Sequence, residues 1–241
     1  MVGELVVGAG VYPTDMFLGA ACGAFSRQHP GVRARVVHDH VRHLTRLLEK
    51  RELDVLVGDA GWLESREDIA VVTLNPHQGY FVARAGHPLA KEKTVTLDML
   101  VSQPFVGPSQ TMLHLAKVAA KVTGDPGLAD RLAHWGPAVA TESISMICST
   151  VASSDGVALV PLMPALAEVQ LGRLILLPIV LPWLKVAFSV MHPAPHPLSA
   201  AGEHFLGAVK KADADLFAQS QKAAATLPAL WKQQKKRRVR A

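Results

Sequence analysis

Leu5-Val6-Val7-Gly8-Ala9-Gly10-Val11-Tyr12-Pro13-Thr14-Asp15-Met16-Phe17-Leu18 opens with a β-type run, passes through a glycine-containing loop and ends in apolar positions at helical spacing. Thr14 or Asp15 can cap that helix, because a side-chain oxygen accepts from the N–H groups that the first turn leaves unpaired. Phe17, Leu18, Ala21, Cys22 and Phe25 continue one apolar face, and His29-Pro30-Gly31 stops it. Val32 to Val37 alternates with the period of a strand. Leu44, Leu47 and Leu48 mark a second helix, and Asp54-Val55-Leu56-Val57-Gly58 reads as a buried strand with a turn after it. The order β-α-β-α-β favours a parallel sheet covered by helices, an α/β fold.

A second series follows. Ile69 to Leu74 and Tyr80 to Ala83 are extended runs with Asn75-Pro76 between them, and Gly86-His87-Pro88 is a turn. Thr96 to Leu100 reads as a short helix and Phe105-Val106 as a strand. Gly107-Pro108-Ser109 then leads into a helix whose stripe is Leu113, Ala116 and Ala120. Val139-Ala140 is a strand. Ser143 caps a helix with the stripe Ile144, Ile147, Cys148 and Val151, stopped by Gly156. Val157 to Val160, a helix through Leu166, and Leu174 to Leu177 complete the series. Lys185 to Met191 is a last strand, and Ser199 caps a helix through Val209. From about Asp213 the Ala- and Lys-rich sequence reads as helix decaying into a disordered tail.

Composition narrows the class. Hydrophobic residues make up 49% of 241 and charged residues 19%, which is core-building composition rather than that of a disordered chain. A mean hydropathy of +0.22 raises the question of a membrane. The longest apolar run, Leu174 to Leu184, is cut by Pro178 and Pro182 and falls short of the ~20 residues a spanning helix needs. The opening residues show no basic segment followed by a long apolar one, so no secretory signal is expected. Cys22 and Cys148 are too few for a disulfide framework, and reduced thiols in the cytoplasm are the simplest reading. The formal charge is +5, but the last ten residues hold Lys232, Lys235, Lys236, Arg237, Arg238 and Arg240. Removing those six charges leaves the body at −1. A solvated terminus is the simpler reading of that basic C-terminal tail, over contact with nucleic acid or an anionic surface.

Chemical screens return little. Gly8-Ala9-Gly10-Val11-Tyr12-Pro13 stands where a dinucleotide fingerprint would, but Pro13 replaces its third glycine and no acid for a ribose follows at the required spacing. No cofactor is expected. His38, His40 and His43 with Asp39 straddle a strand-to-helix junction where side chains diverge, so a surface or capping role is expected and no metal. Ser153-Ser154-Asp155-Gly156 reads as a helix stop. No acid, base and nucleophile can be assembled from spacing, and no catalytic residue is assigned.

Gly3-Glu4-Leu5-Val6-Val7-Gly8, Phe25 with His29-Pro30-Gly31-Val32, Glu52-Leu53-Asp54-Val55 and Gly86-His87-Pro88-Leu89-Ala90 together resemble the effector-binding domain of LysR-type transcriptional regulators. Val151 to Pro161, Gly172-Arg173-Leu174 and Leu198-Ser199-Ala200 before Phe205-Leu206 fit the same pattern in the same order, so the likeness runs from about residue 3 to about 212. The resemblance implies two Rossmann-like subdomains joined by two crossover strands, the architecture of type 2 periplasmic binding proteins. The first would combine residues 1–79 with 186–220 and the second would be 80–185, leaving 221–241 as the basic tail. It implies a small-molecule effector held in the interdomain cleft, and a homodimer or homotetramer whose geometry the effector biases. DNA would be read only through a winged helix-turn-helix domain, and the chain as given starts at the first effector-domain strand. Tight operator-specific binding is therefore not expected of it.

Carried over residue by residue, the resemblance places Gly10, Val11, Tyr12 and Thr14 on one wall. Ser109, Gln110 and Thr111 line the other, with Thr141 and Ser143 at a further helix start. Hydroxyls and backbone N–H groups there suit a small organic anion. Gly10 stands where members often carry Ser or Thr, which leaves the first anchoring hydroxyl absent or supplied by Tyr12. Glu142 would repel an anion if it faced the cleft. Two other classes share the scaffold. A transport solute-binding protein needs an export signal or lipid anchor, and an enzyme needs a catalytic group in the cleft.

Overall fold

The computed structural model describes residues 1–63, 66–92, 94–109, 111–194 and 197–238, with the backbone alone at Trp62, His114 and 232–238. The chain forms two compact units. Unit 1 is Met1–His77 with Val186–Ser220, and unit 2 is Gln78–Lys185 with Gln221–Ala241.

In unit 1, β1 (Gly3–Ala9) is central. It pairs in parallel with β2 (Val32–His38) on one side and β3 (Val55–Asp59) on the other. β3 also pairs antiparallel with β9 (Lys185–Pro193). Between β1 and β2 runs one continuous helical stretch: α1 (Val11–Pro13), a π-helical turn (Thr14–Leu18) and α2 (Gly19–Gln28). Helix α3 (Val41–Glu49) connects β2 to β3. Gly8 is buried in β1 because a Cβ there would lie 2.6 Å from the Leu53 side chain, so the missing side chain makes room for Leu53, Leu56 and Leu44. That glycine serves packing.

The first helix differs from expectation. Gly10, not Thr14 or Asp15, is its N-cap, and no side chain caps it. Thr14 lies a full turn inside, where both its N–H (3.3 Å) and its hydroxyl (2.7 Å) donate to the Gly10 carbonyl. A Thr hydroxyl inside a helix takes the carbonyl four residues back when no free N–H is in reach.

In unit 2, β5 (Phe105–Gly107) takes the central place. It pairs in parallel with β6 (Pro137–Ala140) and β7 (Val157–Pro161). β7 pairs antiparallel with β4 (Ile69–Arg84), which also carries β8 (Leu174–Leu176). Helices α4 (Leu97–Val101), α5 (Thr111–Thr123), α6 (Pro126–His134), α7 (Ile144–Ala152) and α8 (Leu162–Gln170) cover it. Its core is apolar: Phe81, Phe105, Trp135, Leu100 and Met112 are buried together. The buried stripe of α5 is Met112, Leu115, Ala116 and Ala119, so the expected stripe through Leu113 and Ala120 was set on the wrong phase.

Asn75-Pro76 does not divide β4. Pro76 is exposed, where no ladder hydrogen bond is needed, and the Asn75 N–H is taken by a carboxylate instead. That carboxylate is Asp213 on α9 (Ala200–Arg238), 1% exposed. It accepts from Asn75 N–H (2.9 Å), Asn75 Nδ2 (2.6 Å) and His77 Nε2 (2.7 Å). Burial alone would raise its pKa. The His77 and Asn75 hydrogen bonds outweigh that and hold it below its ordinary value. The His77 ring stacks near Phe17 and also lies against Phe188 and Phe217.

Ser199 caps α9 as expected, its hydroxyl accepting from Gly202 N–H at 3.1 Å. The helix does not decay after Asp213. It continues through Pro228 to Arg238, and residues 221–241 group with unit 2.

Candidate functional site

Each unit carries its parallel strands in the order of a doubly wound sheet: β2-β1-β3 in unit 1 and β6-β5-β7 in unit 2. In such sheets the carboxyl ends of the strands on either side of the reversal frame a crevice, and ligands favour it. The reversal falls between β1 and β3, and between β5 and β7.

In unit 1, Gly10 follows β1 in extended conformation, φ −69° and ψ 168°. Its N–H donates to the Val57 carbonyl at 2.8 Å, which ties the loop to β3 at the reversal. Val11 is buried. Tyr12 is half-buried, with its ring 6.4 Å from that of Phe188 on β9. Pro13 has no N–H, so the backbone donors at this helix start are few. The Thr14 hydroxyl is spent on Gly10. The structure thus brings Gly10, Val11 and Tyr12 to the strand end, and Thr14 acts as an internal brace.

In unit 2, Ser109 is exposed after β5, and Thr111 starts α5 with its N–H donating to the Pro108 carbonyl at 3.2 Å. Gln110 lies outside the described residues. Thr141 follows β6, and its N–H donates to the Gly107 carbonyl at 3.2 Å, so the loops after β5 and β6 are laced together. The Thr141 hydroxyl accepts from Ser143 N–H and lies 3.3 Å from the Met146 sulfur. The Ser143 hydroxyl caps α7 by accepting from Met146 N–H at 3.3 Å, and it sits 2.9 Å from the Ser145 hydroxyl. Ser109, Thr111, Thr141 and Ser143 therefore stand at the ends of two neighbouring strands, with Glu142 half-buried among them.

Sequence reasoning missed two apolar residues here. Met146 on the first turn of α7 is 48% exposed and Leu113 on the first turn of α5 is 43% exposed. The legible signal was Met146 standing off the stripe of Ile144, Ile147, Cys148 and Val151. In unit 1 the counterpart of Thr141 is Asp39, whose N–H donates to the Ala9 carbonyl at 3.3 Å. His40 caps α3, its Nδ1 accepting from Arg42 N–H at 3.2 Å, and His43 pairs with Asp39 at 2.9 Å. Among the described residues, no three His, Cys, Asp or Glu side chains converge as a metal site would require.

Known proteins agree on the family. Residues 1–214 match the LysR substrate binding domain. The SDS degradation transcriptional activation protein of Pseudomonas sp. (strain ATCC 19151) is 30% identical over 218 residues, covering 88% of this chain and 68% of that protein. A transcriptional regulator structure from Vibrio parahaemolyticus superposes with a TM-score of 0.71 at 15% identity, over 90% of this chain and 98% of the other. The effector binding domain of QuiR in complex with shikimate superposes at 0.69 with 14% identity, over 89% and 99%. These likenesses make the fold that of LysR regulatory domains, with the two-subdomain α/β architecture the sequence resemblance implied. The chain belongs to the LysR substrate-binding domain family, the effector-sensing part of a class of transcription regulators.

Proposed function

We propose that the strand-end loops bind an amphiphilic effector, a molecule with a small anionic or strongly polar head and an apolar body, and do not transform it. The observation that carries this is the surface at the ends of β5 and β6. Thr111, Thr141 and Ser143 place hydroxyls beside Met146 and Leu113, apolar side chains left open to solvent. Hydroxyl groups suit the head. Exposed Met and Leu gain by covering an apolar body, at about 25 cal/mol per Å². Gly10, Val11 and Tyr12 are the contacts proposed from unit 1, with the Tyr12 ring a further apolar face. Ser109 and Gln110 complete the set carried over from the family.

The relative named for SDS degradation makes short alkyl sulfates one class worth testing, and the shikimate complex makes hydroxylated ring acids another. Effector binding is proposed to bias a dimer or tetramer of this chain within the cytoplasm. Among the described residues no helix is long and apolar enough to cross a membrane.

The test is a thermal-shift screen with hexyl sulfate, shikimate and a set of aromatic and aliphatic carboxylates. A ligand at a hundred times its Kd adds about 2.7 kcal/mol of stability. Hits should weaken in Thr141→Ala and Ser143→Ala proteins, and light scattering should report the oligomeric state with and without the hit. A ligand whose affinity neither substitution alters would place the site elsewhere.

A further inference from the structure

The family match ends at residue 214, and α9 continues to Arg238. The continuation is packed as far as Trp231. Leu227 is 3% exposed, and the Trp231 indole nitrogen is shut off from solvent. Leu227 and Trp231 lie one turn apart on the same helix face, and the next positions on that face are Lys235 and Arg238. The apolar stripe turns cationic after Trp231. From Lys232 to Arg238 every position is Lys, Gln or Arg, so this stretch has no apolar face to bury.

Its charges are also poorly matched to a helix standing by itself. Lys232 is spaced i,i+3 and i,i+4 from Lys235 and Lys236, and Lys235 is i,i+3 from Arg238. Like charges at these spacings destabilise a helix. The macrodipole favours the cations of the last turn, 235–238, and offsets only part of that repulsion. No acid follows Asp215, so this part of the chain supplies no counter-charge of its own. The remainder of the protein is nearly neutral, and the positive charge is concentrated at this one end.

We infer that this basic helical end is a sequence-independent contact for the phosphate backbone of duplex DNA. A duplex backbone asks only for closely spaced cations. A helix inserted in a lipid surface asks for an apolar face beside the cations, and 232–238 has none. A single-strand platform asks for stacking aromatics, and none follows Trp231. The inference is independent of the effector site.

The experiment titrates the 241-residue chain into a fluorescently labelled duplex of about 30 base pairs and reads anisotropy, with two unrelated sequences, at about 50 and about 150 mM salt. Engaging about five phosphates gives a log–log salt slope of about −4.5, a loss of affinity of roughly a hundredfold between the two salts. Both sequences should bind equally. Joint Lys232→Gln, Lys235→Gln, Lys236→Gln, Arg237→Gln and Arg238→Gln replacement should abolish binding, with circular dichroism checking that the fold is kept. The milder Arg237→Gln/Arg238→Gln protein should lower the slope by about 1.8. Lys210→Gln/Lys211→Gln, on the same helix, should change nothing. Absence of salt-dependent binding, or binding unaltered in the five-site protein, overturns the inference. Tighter association with phosphatidylglycerol vesicles than with duplex overturns it in favour of a lipid surface.

Discussion

The strand end after β1 and the strand ends after β5 and β6 occupy matching places in the two units, yet their chemistry differs. Both follow a central parallel strand, and both are tied to the next strand's loop by the same backbone hydrogen bond, Asp39 to Ala9 in unit 1 and Thr141 to Gly107 in unit 2. Unit 2 puts hydroxyls and open apolar side chains there. Unit 1 puts a glycine, a proline and a tyrosine there, and turns the Thr14 hydroxyl back into the helix. One topology thus carries two surfaces, and the polar selectivity of the proposed site should reside mainly in unit 2. The interiors differ as well. Unit 1 buries a carboxylate, whereas the main cluster of unit 2 is apolar.

The largest expected effect separates the interiors. Asp213→Ala leaves the Asn75 and His77 donors buried without their acceptor and should cost about 3–5 kcal/mol, read as a lower urea midpoint. Acid should do the same gradually. Because the folded-state pKa of Asp213 is depressed, its contribution is complete above the ordinary carboxylate pKa, near about pH 4. It is lost as pH falls through the lower folded value. Melts from about pH 5 downward should therefore show a steeper slope in the wild type than in Asp213→Asn, where Asp68 and Glu168, also held low by arginine partners, still contribute. Equal slopes would remove the distinction between the two interiors.

Next comes Gly8→Ala. Its methyl would press into Leu53, with Leu56 and Leu44 close behind, and the expected cost is about 1–3 kcal/mol. Ser143→Ala should lose about 1 kcal/mol through the missing α7 cap, measured by thermal melt, and should also weaken any effector hit. The smallest effect on stability is expected from Gly10→Ser. Its Cβ would meet the Gly58 Cα at 3.4 Å, ordinary contact, and Gly10 already has an extended backbone, so the change should stay within about 0.5 kcal/mol. It adds to unit 1 an aliphatic hydroxyl at the Gly10 position itself. Tighter effector binding in Gly10→Ser would show that the asymmetry between the two surfaces sets selectivity, and unchanged binding would show that unit 1 contributes shape alone.

Much of the second series was readable one element at a time. Ser143 caps its helix as expected, through the Met146 N–H, while Thr96, read as part of a short helix, stands as its N-cap and accepts from Met99 N–H. Helix α6 was missed although Asp125-Pro126 is a start signal: Asp125 accepts from Leu128 N–H at 3.0 Å with Pro126 at the first helical position. The α5 stripe was misphased because both Met112-Leu115-Ala116-Ala119 and Leu113-Ala116-Ala120 satisfy helical spacing, and only the sheet beneath chooses between them. At the candidate site, the residue types came from the family resemblance. The withdrawal of Thr14 and the exposure of Met146 and Leu113 emerged only from the packed structure.

The chain's own order of residues determined the alternation of strands and helices, most of their caps and the concentration of positive charge near the end, because these depend on neighbours within about one helical turn. Tertiary structure decided which glycine serves packing, which hydroxyl is turned back into its own helix, and that a proline could remain within the strand β4. Those outcomes hang on partners far away in sequence, as Asp213 and His77 show across 136 positions. A buried charge can be matched only after the elements that carry its donors have come together, and no local pattern announces that meeting.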